Sequence, residues 1–171
     1  MSKRLKQDIC GVGAPGTHVA NMETSTVKKS LPPEVQYACL YWVQYLERSG
    51  TQLYDQVYQF LQDHLLHWLE ALGWMRKTFE GILAIVSLEA LILVSLLYNI
   101  LGKPRLIYTT KAYKSPTLHA FVHDAKRFAI YNRPVIERTP LQLYCSGLVF
   151  ASEKSIVRGP LRPRLLSGLL T

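Results

Sequence analysis

From residue 35 onward, apolar positions recur with helical spacing through most of the chain. Val35, Cys39, Trp42 and Leu46 fall at i, i+4, i+7 and i+11 and make one stripe of an amphipathic helix. Pro32-Pro33-Glu34 marks its start, with proline in the first turn and an acid beside the positive end of the helix dipole. Arg48-Ser49-Gly50 marks its end with a cation and a C′ glycine. A second helix is predicted from Asp55, read as its N-cap, to about Met75. Val57, Phe60, Leu61, Leu65, Trp68, Leu69 and Leu72 share its inner face, while Gln59, Gln62, Asp63 and Glu70 are assigned to the outer one. The connection over 50–54 is short, so the two helices are expected to pack as an antiparallel hairpin.

Residues 78–101 are apolar nearly all the way round and end at Gly102-Lys103-Pro104. A short β-like run, Leu106-Ile107-Tyr108-Thr109-Thr110, follows. Ser115 and Pro116 then open a helix whose stripe is Leu118, Phe121, Val122, Ala125, Phe128 and Ala129. Near Pro134 it gives way to a short helical turn. Thr139-Pro140 opens a last predicted helix carrying Leu141, Leu143, Tyr144, Leu148 and Val149. Before residue 31 the punctuation by Gly11, Gly13, Pro15 and Gly16 and the polar stretch over 23–30 predict a flexible linker. From Arg158 on, Gly159, Pro160, Pro163 and Gly168 predict a disordered basic tail. The expected class is all-α: an antiparallel hairpin with further packed helices over 31–157, between irregular tails at 1–30 and 158–171.

Charge divides the chain. Residues 1–102 carry 8 Lys/Arg against 9 Asp/Glu, and residues 103–171 carry 12 against 3, so the whole net charge of +8 comes from the second part. Such a surface attracts acidic partners or lipid headgroups. The cations are scattered, however, and a solvated helical surface with no specific nucleic-acid partner is the expected reading. The three cysteines, Cys10, Cys39 and Cys145, are odd in number and widely spaced, which indicates neither a zinc site nor a disulfide framework. A basic start without an apolar run behind it, and the lack of any Asn-x-Ser/Thr sequon, fit an intracellular setting.

The candidate chemistry is thin. Gly11-x-Gly13-x-x-Gly16 has dinucleotide-binding spacing, but no buried strand precedes it and Pro15 interrupts it, so a turn is expected. His119 and His123 sit at i, i+4, where a zincin would need Glu at 120 and this chain has Ala; Asp124 adds no third ligand by itself. His64 and His67, at i, i+3, are weaker. Cys145 lies in an apolar stretch with nothing cationic adjacent to activate it. No catalytic residue, metal ligand or cofactor site is therefore assigned, and the chain is expected not to be an enzyme.

Residues 81–101 have two readings. Their 21 residues match a bilayer core of about 30 Å. Against a span stands Glu89 near the midpoint, at about 2–3 kcal/mol on insertion scales. A buried central helix is the expected reading and a single membrane span the alternative.

Several linked stretches resemble a block of fungal STAND proteins of the NACHT–WD40, vegetative-incompatibility type. They are Asp8-Ile9-Cys10-Gly11 with Ala14-Pro15-Gly16; Leu31-Pro32-Pro33-Glu34-Val35-Gln36-Tyr37-Ala38-Cys39 with Tyr41-Trp42-Val43; Phe60-Leu61 through His67-Trp68-Leu69-Glu70-Ala71-Leu72; His119-Ala120-Phe121-Val122-His123-Asp124 through Tyr131-Asn132-Arg133; and Thr139-Pro140-Leu141-Gln142-Leu143-Tyr144-Cys145. The resemblance runs over roughly residues 3–157. It implies a helical connector between a nucleotide-binding module and WD40 repeats, working through contacts with proteins or adjoining domains. The family's ATP-binding residues belong to the upstream module and match no position here. Two departures stand out. The segment near 91–113 is more apolar and more basic than the family pattern, and the chain turns into Gly159-Pro160-Leu161-Arg162-Pro163-Arg164 where the family continues, so a truncated fragment is expected.

Overall fold

The structure, a computed structural model, describes residues 2–49, 53–100, 115–145 and 157. Its organising element is α3, Tyr54–Trp74. The chain is so apolar over 65–74 that this helix is enclosed on every side in its second half: Trp68, Leu69, Glu70, Ala71 and Leu72 are all completely buried. In chain order it is preceded by α1, Thr24–Ser30, and α2, Pro33–Ser49, and followed by α4, Thr78–Ile100, α5, Ser115–Tyr131, and α6, Arg133–Arg138. Short 3-10 turns lie at Val19–Asn21 and Pro140–Tyr144. Among the described residues there is no strand, and the class is all-α.

The hairpin forms as the short connection requires. Trp68 Nε1 on α3 donates to the Cys39 carbonyl on α2 at 2.9 Å, and the Trp42 ring meets Phe60 and Trp68 edge-on at 5.2 and 5.6 Å. Proline opens α2 as expected, with the Val35 and Gln36 N–H groups closing on the Pro32 carbonyl at 2.9 and 3.0 Å. Asp55 is not the cap of α3: Leu53 holds that position without a side-chain hydrogen bond, and Asp55 lies in the first turn.

At the other end of α3, the Arg76 N–H closes on the Gly73 carbonyl at 2.9 Å and the Lys77 N–H on the Leu72 carbonyl at 2.8 Å, with Arg76 in the left-handed region at φ 58°. Gly73 is required by packing. A Cβ there would sit 2.3 Å from the Ile136 carbonyl oxygen and 2.7 Å from Pro140 Cγ, so only glycine lets α6 and the Pro140–Tyr144 turn close on α3.

Helices α4 and α5 run antiparallel, with Glu89 opposite His123 and Lys126, and Phe79 under the Arg133 guanidinium. The whole predicted α5 stripe is buried, Leu118, Phe121, Val122, Ala125, Phe128 and Ala129 alike. Tyr58 meets Phe121 edge-on at 5.5 Å and ties α5 to α3.

Further expectations need correction. Residues 2–30 do not hang free as a linker: Leu5, Ile9, Cys10, Val19 and Val27 are buried, and α1 forms within the stretch. Glu70, assigned to the outer face of α3, is fully buried. The central helix is α3 and not α4, which buries only one side, that of Ile82, Ile85, Leu88 and Ile92. The fifth predicted helix is a 3-10 turn as far as Tyr144. The β-like run at 106–110, the positions Leu148 and Val149, and the 158–171 tail lie outside the described residues.

Candidate interaction surfaces

Most of the residues singled out for chemistry are engaged within the fold. The Gly11/Gly13 turn wraps its own carboxylate. Asp8 Oδ1 accepts the Val12 N–H at 2.7 Å and Asp8 Oδ2 the Gly13 N–H at 2.8 Å, with Gly11 at φ 65° and Gly13 at φ 72°. Two of the amides that a bound phosphate would need are thereby given to an internal anion. His119 and His123 stack at 6.3 Å, and His123 Nδ1 bonds Glu89 Oε1 at 2.7 Å. His64 and His67 meet through their Nδ1 atoms at 3.3 Å. Among the described residues no group of three or more His, Cys, Asp or Glu is placed to hold a metal ion. Burial pushes the Cys39 thiol up to about 11, and burial followed by the nearby Glu70 carboxylate does the same for Cys10. Both are therefore neutral and unreactive near pH 7. Cys145 is exposed beyond the end of the Pro140–Tyr144 turn.

One polar centre escaped the sequence reading. Glu70 collects four donors, from two distant parts of the chain and from its own helix. Oε1 accepts the Ile9 N–H at 3.0 Å and Trp74 Nε1 at 3.2 Å; Oε2 accepts the Asp8 N–H at 3.1 Å and the Tyr144 hydroxyl at 2.7 Å. Burial raises the Glu70 carboxyl above its ordinary range and outweighs the hydrogen bonds that favour its charged form. Burial, and then the adjacent carboxylate, raises the Tyr144 phenol well above its usual value. The signal was present: a lone acid in the apolar run over 65–74. Helical spacing assigned it outward because that rule assumes one buried face.

What the molecule offers outward is aromatic and apolar. On α2, Tyr37, Tyr41 and Tyr45 stand at i, i+4 and i+8, with Tyr37 and Tyr45 about half exposed. Tyr37 packs on Tyr41 at 4.6 Å, and the Tyr37 and Tyr45 hydroxyls bond at 2.9 Å. Between α2 and α3 lies a groove of about 780 Å³ lined by Trp42, Tyr45, Leu46, Val57, Phe60 and His64. On α4, Phe79, Leu83, Val86, Leu93, Val94 and Leu97 are exposed in a stretch long and apolar enough to cross a membrane. Amphipathic rings held rigid on a helix supply contact area at low entropic cost, which is the chemistry of protein recognition.

These features describe an all-α chain with aromatic residues exposed on α2 and apolar residues exposed on α4. Comparison with known proteins adds the relation. Over 168 aligned residues, 92% of this chain, it is 35% identical to Vegetative incompatibility protein HET-E-1 of Podospora anserina. The chain spans 11% of that relative's length. It is thus related to this fungal protein, as the resemblance of its linked segments implied. No protein-family profile matches the chain, and no solved structure matches it.

Proposed function

We propose that the chain is a non-catalytic helical connector of a NACHT–WD40-type signalling protein, cytoplasmic, and acting by contact with adjoining domains or protein partners. The observation that carries this is the alignment itself: nearly the whole chain corresponds to a small part of a much larger relative. The tyrosine face of α2 supports it, because three aromatic rings project from a helix whose opposite side, Val35, Cys39 and Val43, anchors it in the core. A module bound there would feel the position of α2, and through Trp68 that of α3.

The test is a calorimetric titration of the 171-residue chain against separately purified modules that flank the matching segment in the Podospora relative. Micromolar binding that weakens about tenfold in Tyr41→Ala, equivalent to about 1.4 kcal/mol, is the expected result. No heat up to millimolar module would count against the reading.

A second reading, a single membrane span over 81–101, has the length and apolarity of α4 in its favour. Against it, Glu89 is held by His123 and Lys126 of α5, so a span would carry three ionisable groups into the bilayer. Retention of the protein in the membrane pellet after carbonate extraction would favour the span.

A further inference from the structure

The exposed side of α4 carries a regular apolar line. Phe79, Leu83, Val86, Ala90, Leu93 and Leu97 are all exposed and follow one another at steps of four, three, four, three and four, with Ser87 and Val94 exposed beside them. That is the 3.5-residue repeat of a helix-packing seam, with Leu83, Ala90 and Leu97 at a and Phe79, Val86 and Leu93 at d. The seam carries no charge, and Glu80 beside it is paired with Lys77 at 2.6 Å. A bilayer rewards apolar area without regard to register. A partner helix rewards this spacing, because each knob needs a hole.

The sizes of the side chains identify the helix. Running the same stripe against itself in the opposite direction places Phe79 against Leu97, Leu83 against Leu93 and Val86 against Ala90. Each layer then joins an a to a d residue, as antiparallel pairs do. The bulky layers fall at the two ends, and the smallest falls at the centre, where two crossing helices approach most closely. Self-complementarity of this kind is what a two-fold interface between identical chains demands: residue i meets j, and j meets i.

We infer that the outer face of α4 is a homodimer interface in which α4 of a second copy packs antiparallel, with its two-fold axis between Val86 and Ala90. The strip is about 27 Å long. A single helix pair of that length falls among the smaller specific interfaces, below about 1,200 Å² in total, so association in the micromolar range is expected. The inference stands apart from the connector reading, since self-association is read from the chain alone and connector function from the added modules.

Sedimentation velocity of the full chain, from low to several hundred micromolar, should show a reversible monomer–dimer equilibrium. Leu83→Glu/Leu93→Glu and Leu83→Lys/Leu93→Lys chains should each be monomeric with unchanged circular dichroism, since both positions are exposed. Mixed in equal amounts they should form a heterodimer, because position 83 of one faces position 93 of the other. In a Cys145→Ser background, a mixture of Leu83→Cys and Leu93→Cys chains should cross-link across the pair, and Leu83→Cys alone should not. A monomer at every concentration, a dimer indifferent to the charge substitutions, or cross-linking of Leu83→Cys to itself would overturn the interface. So would co-sedimentation of a strictly monomeric chain with vesicles of neutral and anionic lipid, which would assign the face to a membrane.

Discussion

A carboxylate without a countercharge in a helical core is expensive, and Glu70 is tolerated only because every donor around it is aimed at its two oxygens. Its removal is therefore expected to cost far more than its burial contributes. Glu70→Ala strands four donors, each worth roughly 1–3 kcal/mol when left unmade. Because the four share one site, the losses do not add in full. A loss of about 3–5 kcal/mol is expected, read as a lower urea midpoint at unchanged slope. Tyr144→Phe keeps the ring and deletes one donor, and should cost about 1.5–3 kcal/mol. If the two substitutions proved equally mild, the cluster would not be holding the fold together. Glu70 was hard to place from sequence because residue type argues for the surface and only enclosure by Tyr144, 74 positions away, and by the 8–9 turn argues otherwise.

At the scale of elements, the α4–α5 pair adds a second carboxylate with the opposite pH response. Partial burial pushes the Glu89 carboxyl up, but the hydrogen bonds from Lys126 and His123 outweigh it and leave it below its ordinary range. A depressed folded value means that the contribution of Glu89 is present above the unfolded value of 4.5 and is lost as pH falls through the folded value. Glu70 runs the other way: its raised folded value gives a contribution that is full below 4.5 and declines as pH rises. Glu89→Gln should therefore flatten the loss of stability on acidification, and Glu70→Gln should flatten the decline toward neutral pH. Urea midpoints from pH 3 to pH 8 separate the two; a Glu89→Gln profile parallel to the unsubstituted chain would refute the assignment. The helices themselves were legible. Proline starts and 3.6-residue stripes place α2, α3, α4 and α5 nearly to the residue, because those signals are local. What could not be read was which helix becomes central. Both α3 and α4 are apolar, and the choice is made by what docks on them: α3 receives α6, the Pro140–Tyr144 turn and the N-terminal segment, while α4 receives α5 and α2 on one side only.

For the molecule as a whole, the consequential difference from the sequence reading lies in the first thirty residues. Glycines, proline and a polar run signal a linker when each is weighed alone, yet Gly11 and Gly13 shape a turn that docks and the polar run forms α1. Gly11 and Gly13 supply left-handed backbone around the Asp8 carboxylate, and the turn so formed presents the Asp8 and Ile9 amides to Glu70. Leu5, Ile9 and Cys10 complete the core from that side. Under the proposed connector role, a displacement arriving at residue 13 would meet a packed segment that ends on α3 rather than slack chain. Removal of residues 1–13 decides between the two pictures. A flexible linker is worth less than about 0.5 kcal/mol to the rest. A docked segment that buries Leu5 and Ile9, at about 1.5–3 kcal/mol each, and that satisfies half of Glu70's donors is worth on the order of 5 kcal/mol. Against the roughly 5–15 kcal/mol typical of a domain, that loss should broaden or abolish cooperative unfolding in the truncated chain. It should also open the α3 core to a fluorescent hydrophobic dye, whereas a sharp transition at the original midpoint would restore the linker reading.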